Sequence, residues 1–239
     1  MIIGEHTLGT PFFLKKNNPN GFTLTEILIA IFIFAVVMSI LLSSFNASLS
    51  TTENVHGGMT TAEMAKNCMN RMLYDLQSLY LNLPPSYTPP GFDTPPDLYR
   101  REGDTTSING IDFSKLRFTS SAHLSFGYSE QWEGIAEIVY YVHETEMDSL
   151  VMRRADNLYP YELFEENEND PVLCEKIKSL VFKYYDKEGT DYDNWDSESP
   201  DFKYATPQAI SITLEIGDED SSQIFQTKLV LPVYRDKVE

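Results

Sequence analysis

One carboxylate lies inside the most apolar part of the chain. Glu26 is the single charged residue in the run from Gly21 to Leu42. An ionised carboxylate at the centre of a membrane-spanning helix costs about 2.5–3.5 kcal/mol on insertion scales, and less near the interface. A buried carboxylate is tolerated when it is paired with a cation. The sequence therefore predicts an ion-pair partner for Glu26.

A second set of carboxylates lies near the middle of the carboxyl-terminal half. Its members are Asp186, Glu188, Asp191, Asp193 and Asp196. Oxygen ligands at alternating spacing can bind Ca²⁺, which takes about six to eight of them. The spacing does not match the D-x-[DN]-x-[DN]-G pattern of the common calcium loop. An exposed acidic turn between strands is the favoured interpretation, and a calcium site is the weaker one.

The chain has two cysteines, Cys68 and Cys174, which could form a disulfide. A disulfide between them is permitted in an oxidising compartment. The geometry that a disulfide requires is demanding, and sequence alone does not provide it. A bridge and two buried free thiols both stay open.

Patterns typical of an enzyme are absent from the sequence. The four histidines, His6, His56, His123 and His143, are scattered, and none forms an H-x-x-x-H pair. The chain has no G-x-S-x-G, no glycine-rich phosphate loop and no C-x-x-C. Arg153-Arg154 is predicted to take part in a surface ion pair with an acidic side chain, and not to clamp a substrate. We predict a protein that is not an enzyme and needs no cofactor.

The net charge of −18 argues against nucleic-acid binding, because contact with a phosphate backbone requires clusters of Lys and Arg. Such acidity is typical of a solvated surface that keeps an exported domain soluble. It would also steer the chain toward basic partners.

The apolar run that holds Glu26 has the length of a membrane span. Residues 22–42 supply the roughly 20 apolar residues that a spanning helix needs. Lys15 and Lys16 precede the run and no Lys or Arg follows before Lys66, which places the start of the chain in the cytoplasm. A retained signal anchor and a secretory signal cut after Ser48-Leu49-Ser50 are two further interpretations of this run.

The helix is predicted to continue to residue 83. Apolar residues recur at three- and four-residue spacing after the span. They are Ala62, Ala65, Met69, Met72, Leu73, Leu76, Tyr80 and Leu83. Pro84-Pro85 would end the helix, and Gly57-Gly58 is its weak point. We interpret the stripe as core packing.

The remainder of the chain is predicted to form strands after an irregular segment. Residues 84–110 are rich in Pro, Gly, Asp and Thr, which predicts an extended surface loop. Strands are predicted at 116–120, 135–143, 150–155, 180–185, 209–216 and 223–233. Turns at 144–148 and 217–220 would make hairpins of two strand pairs. One long helix followed by antiparallel strands predicts an α+β fold.

The start of the chain resembles a known processing signal. Lys15-Lys16, followed by Gly21-Phe22-Thr23-Leu24-Thr25-Glu26 and the apolar run, resembles the class III signal of type IV prepilins and type II secretion pseudopilins. The resemblance implies that prepilin peptidase cuts between Gly21 and Phe22 and then methylates the Phe22 amine. It also implies that Glu26 pairs with the terminal ammonium of a neighbouring subunit. Residues four apart share a helix face, so pairing with its own terminus stays open.

The downstream half is similar to the J-type minor pseudopilin of type II secretion systems. The similarity lies in the order of 139–142, 150–153, 180–186, Trp195 and 207–214. Residues 162–170 look like an insertion relative to that pattern, and a tryptophan expected just after Gly189 is absent. A PilW-like minor type IV pilin that primes or decorates a surface pilus is therefore the main alternative. A membrane-anchored periplasmic hydrolase or binding domain is the third.

These resemblances imply a pilin-like fold in three parts. Residues 1–21 would be the leader, 22–83 the long helix with its transmembrane segment 22–42, and 84–239 a β-rich periplasmic domain. The chain would cross the inner membrane once and be assembled at the tip of a periplasmic pseudopilus that supports protein export. The implied partners are prepilin peptidase, the inner membrane, and pseudopilins of the I, K, H and G types.

Overall fold

The computed structural model describes residues 22–91, 95–124, 134–146, 148–159, 161, 164–218 and 221–238, and within its helix it leaves the side chains of 45–59 undescribed. The predicted leader, with Gly21, lies outside these residues. The chain divides into two compact units, one ending at Asn54 and one beginning at Val55.

The first unit holds the apolar part of helix α1, which runs from Leu24 to Gln77. Leu24–Ser44 is long and apolar enough to span a bilayer, and none of its side chains is buried by the protein. Large apolar side chains such as Phe32 and Ile40 are more than half exposed. An apolar surface of this extent indicates a lipid or protein environment, since soluble monomers rarely expose such patches.

Helix α1 ends at Gln77, before the predicted end at residue 83. Ser78 N donates to the carbonyls of both Tyr74 and Asp75, at 3.1 and 3.2 Å, so the last turn tightens. Leu79 then forms a β-bridge with Ser120. The backbone leaves the helix because it pairs with the end of a strand, and Pro84-Pro85 only follows that change.

In the part of the second unit that the structure describes, ten strands form two antiparallel sheets. The six-stranded sheet has the order β5-β4-β3-β2-β1-β8 and the four-stranded sheet the order β10-β9-β6-β7. The strands are β1 Glu102–Ile108, β2 Ile111–Ser120, β3 Ala136–Glu144, β4 Leu150–Leu158, β5 Val172–Cys174, β6 Ile177–Tyr185, β7 Asp191–Tyr192, β8 Trp195–Asp196, β9 Ala209–Asp218 and β10 Ser221–Val230.

The six predicted strands correspond to β2, β3, β4, β6, β9 and β10. The predicted hairpins are also present, because Glu144 pairs with Leu150 and Asp218 pairs with Ser221 at the strand ends. The α+β fold class with a long amino-terminal helix and antiparallel sheets is confirmed.

The prediction that residues 84–110 form an irregular loop is wrong at its carboxyl-terminal end. Strand β1 lies there and pairs with β2 from Glu102↔Arg117 to Ile108↔Ile111. The connection is Asn109-Gly110, with φ of 54° and 79°. A two-residue hairpin turn of the I′ type needs positive φ at both positions, which explains the Asn-Gly pair.

The core of the second unit lies between the amphipathic part of α1 and the sheets. Four residues of the predicted stripe are buried in one apolar cluster with side chains from both sheets. They are Ala65, Met69, Met72 and Leu76. The interpretation of the stripe as core packing is therefore confirmed.

Candidate processing and assembly site

Glu26 caps the beginning of helix α1. Its Oε2 accepts hydrogen bonds from Thr23 N at 2.9 Å and from Thr23 Oγ1 at 2.8 Å. In return, Glu26 N donates to Thr23 Oγ1 at 3.3 Å. This reciprocal arrangement is a capping box, which satisfies two of the orphan amide groups at a helix start.

The capping box gives Glu26 a partner that sequence reasoning missed. The signal was present as Thr23-Leu24-Thr25-Glu26 before an apolar run, which matches the T-x-x-E pattern. Within the part of the chain that the structure describes, Glu26 forms no ion pair with a Lys or Arg side chain. Its charge is therefore held by the helix start and by Thr23, which leaves one carboxylate oxygen for a further cation.

Phe22, the predicted new amino terminus, lies directly before the capped turn. It precedes the first helical residue, Leu24, by two positions, and its side chain is 84% exposed. The bond between Gly21 and Phe22 lies at the edge of the described residues, so cleavage and methylation stay predictions. A free amine at Phe22 would lie next to the positive end of the helix dipole, where a carboxylate is favoured.

The acidic residues proposed as weak calcium ligands are not gathered around one point. Asp191 and Asp193 both pair with Lys183, at 3.1 and 3.2 Å. Asp186 accepts from Thr190 N at 2.8 Å and from the Tyr192 hydroxyl at 3.0 Å. The described residues, which include all five candidates, contain no group of three or more acidic, His or Cys side chains placed to hold a metal. The geometry favours the turn interpretation.

The prediction of a surface ion pair at Arg153 and Arg154 is wrong. Both side chains are buried, and that of Arg154 is completely inaccessible. The Arg154 guanidinium donates to both carboxylate oxygens of Asp75 on helix α1, from Nε at 2.7 Å and from Nη2 at 3.2 Å. It also pairs with Asp156. The six-stranded sheet therefore contacts helix α1 through an ion pair as well as through apolar packing.

We name the ionic group around Asp75 the Asp75 cluster. It consists of Asp75, Arg71, Tyr140, Arg154 and Asp156. Arg71 Nη2 lies 2.7 Å from Asp75, and the Tyr140 hydroxyl donates to Asp75. Burial and the nearby charge of Asp75 raise the pKa of Tyr140 well above its usual range. The phenol is therefore a permanent donor to the carboxylate.

Asp156 connects the Asp75 cluster to the surface. Its carboxylate accepts from Leu124 N at 2.9 Å and lies 2.6 Å from His123 Nδ1. Burial alone would raise the pKa of Asp156, but the bonds from His123, Arg154 and Leu124 outweigh it and lower the pKa. The folded protein therefore holds Asp156 ionised more strongly than the unfolded chain does.

This depressed pKa predicts an acid-dependent loss of stability. Because the pKa is lower in the folded state, the contribution of Asp156 is present above its unfolded value of about 3.9 and is lost as pH falls through the folded value. Asp156→Asn should therefore lower the free energy of unfolding at pH 6 and flatten its fall below about pH 4. Urea titrations of the full chain in detergent at several pH values, followed by fluorescence of buried Trp195, measure both effects.

The exposed pair Lys176–Asp218 gives the matched control. Asp218→Asn should change the free energy of unfolding by less than about 0.5 kcal/mol, because surface pairs contribute little. Parallel pH curves for wild type and Asp156→Asn would contradict the assignment to Asp156.

Two family models match the chain, one over the start of the apolar helix and one over the remainder. Residues 16–42 match the prokaryotic N-terminal methylation motif. Residues 43–227, more than half of the chain, match type II secretion system (T2SS), protein J. No curated protein matches the chain.

Proposed function

Because this chain belongs to the protein J family of type II secretion systems, a family of minor pseudopilins, we propose that prepilin peptidase processes it and that it assembles at the tip of a periplasmic pseudopilus. The family is structural and is not known for enzymes. The family match favours this proposal over a minor type IV pilin, which was the main alternative from sequence. The pseudopilus would support protein export.

The observation that carries the proposal is the position of Glu26 in the first turn of an exposed apolar helix. The methylation-motif match covers this start, and the apolar surface of Leu24–Ser44 is unburied by the protein itself. In the membrane that surface contacts lipid. In a filament the same surface packs on neighbouring helices, so one segment serves as anchor and as assembly surface.

Cleavage after Gly21 would change the electrostatics of the helix start. It creates an ammonium at Phe22, beside the positive end of the helix dipole. In an apolar environment the ammonium and the positive helix end repel each other unless a carboxylate neutralises them. Glu26 supplies a negative charge about one helical turn from the new terminus. Its partner can be the Phe22 ammonium of the same chain or that of a neighbouring subunit.

The orientation follows from the charge around the span. Lys15 and Lys16 lie ahead of it and the next basic residue is Lys66, which favours a cytoplasmic start. The unit beginning at Val55 would then lie in the periplasm. There its acidic surface would meet the I-, K-, H- or G-type pseudopilins that we propose as partners.

Mass spectrometry of the chain expressed with its peptidase tests the processing step. We expect a mature protein that begins with N-methylated Phe22, because the cut falls after Gly21. Co-expression with a catalytically inactive peptidase is the control and should leave the leader intact. A mature start near Thr51, or an intact leader beside active peptidase, would contradict the proposal.

A further inference from the structure

Two thiols from distant parts of the chain meet in the core of the second unit. Cys68 lies on helix α1 and Cys174 ends strand β5. Their sulfur atoms are 2.7 Å apart, closer than two non-bonded sulfur atoms normally approach. Each side chain is 1% exposed. A disulfide bond is about 2.05 Å long, so the two sulfurs need to move by less than an ångström to bond.

The surroundings hold both cysteines in this position. The Cys68 thiol also contacts the Met152 Sδ at 3.5 Å, which lies on the next strand, β4. Glu175 N, directly after Cys174, donates to Met64 Sδ on helix α1 at 3.4 Å. Contacts on both sides of the thiol pair therefore fix the register of α1 against β5.

We propose that Cys68 and Cys174 form an intramolecular disulfide in the exported protein and so join helix α1 covalently to strand β5. The inference rests on the proposed function in one respect, that the second unit lies on the oxidising side of the membrane. Disulfides form and persist in such compartments.

The reaction is an exchange with the disulfide of an envelope dithiol oxidase. One cysteine thiolate attacks the oxidant's disulfide and forms a mixed disulfide, releasing one oxidant thiolate. The second cysteine then displaces the other oxidant sulfur and forms the Cys68–Cys174 bond. The two cysteines lose two electrons and two protons in total, and the oxidant leaves as a dithiol.

Burial sets the time at which the bond can form. The contact with Cys174 and burial raise the pKa of Cys68 above that of a free thiol, so the folded protein presents little thiolate. An oxidant also has no access to side chains that are 1% exposed. Oxidation must therefore occur while the exported chain folds, before α1 packs against the sheets. Once formed, the buried disulfide resists reduction.

Thiol trapping in cells that express the full chain with its secretion system tests the proposal. Cells are quenched with acid, the protein is denatured, and thiols are alkylated with a polyethylene glycol maleimide before or after reduction. The wild type should take up no tag before reduction and two tags after it. Cys68→Ala and Cys174→Ala should each take up one tag in both conditions.

Two results would overturn the proposal. One is a wild-type chain that takes up two tags without reduction although protease added to spheroplasts cleaves its second unit. The other is a reductant-sensitive dimer in place of an internal link. Protection from the protease would instead refute the proposed placement of the second unit, and oxidative refolding of the purified chain then still decides the pairing.

Refolding separates the pairing from the location. The purified full chain is unfolded and reduced in urea, then refolded in detergent with oxidised glutathione. Mass spectrometry of a digest should show one peptide pair linked through Cys68 and Cys174, and failure to find it would overturn the pairing. The oxidised chain should melt about 10 °C above the same chain refolded without oxidant. The two cysteines are 106 positions apart, and closing a loop of that length strongly restricts the unfolded state.

Discussion

Replacing Glu26 by glutamine is expected to leave processing intact and to reduce incorporation into the pseudopilus at least about tenfold. Glutamine keeps the capping box, because its amide oxygen can accept the Thr23 N–H as the carboxylate does. It loses the negative charge that we propose pairs with the Phe22 ammonium. Incorporation can be measured in sheared filament fractions, and processing by the mass of the membrane-bound chain.

Glu26→Ala and Thr23→Val distinguish the charge from the cap. Glu26→Ala removes both, and loss of the cap costs about 1 kcal/mol of helix stability. Thr23→Val removes the hydroxyl bonds of the capping box and keeps the charge. If the ion pair is required, Glu26→Gln and Glu26→Ala should lose incorporation into the pseudopilus to the same extent, and Thr23→Val should still be incorporated.

The reverse order would contradict the proposed role of Glu26. Normal assembly of Glu26→Gln, together with failure of Glu26→Ala and Thr23→Val, would mean that the carboxylate acts only through the capping box. A loss of processing in Glu26→Gln would instead place its role at the peptidase.

The second large effect is expected in the Asp75 cluster. Asp75→Ala should lower the free energy of unfolding by about 3–5 kcal/mol, because it leaves the fully buried Arg154 without its main partner. It also removes the acceptor of the Tyr140 hydroxyl. Urea unfolding of the full chain in detergent, followed by fluorescence, measures this loss.

Two further variants make the test specific. Arg71→Ala removes a partner whose side chain is 19% exposed, so we expect a smaller loss, of about 1 kcal/mol. The double variant Asp75→Leu with Arg154→Leu removes both buried charges and should be more stable than Asp75→Ala, because a buried pair can be replaced by apolar packing. A double variant less stable than Asp75→Ala would contradict an energy cost from the unpaired guanidinium.

Much of the architecture was predictable because it depends on local pattern. The span, the amphipathic stripe and six of the strands follow from the spacing of apolar and β-branched residues. The hairpin of β1 and β2 was also detectable, since Asn109-Gly110 is a strong turn signal. It was missed because the prolines and glycines earlier in 84–110 dominated the interpretation.

The end of helix α1 and the burial of Arg154 were not predictable in the same way. The helix ends where Leu79 pairs with Ser120, and no residue near Gln77 signals this. Arg154 is buried because Asp75 lies opposite it, although the two are far apart in sequence. A charged residue on a strand has no local pattern that distinguishes a surface pair from a buried one.

The sequence by itself determined the membrane-spanning helix, the charge at its start and the α+β class, because hydrophobic periodicity, capping residues and processing signals act within a few turns of the chain. Only the tertiary structure decided which groups from distant segments meet. It brought Arg154 to Asp75 and Cys174 to Cys68, because those contacts depend on how α1 packs against the sheets. The role of Glu26 belongs to both levels, since Thr23 and Glu26 cap the helix within the chain, and the cationic partner that we propose for Glu26 would be created only by a cut after Gly21.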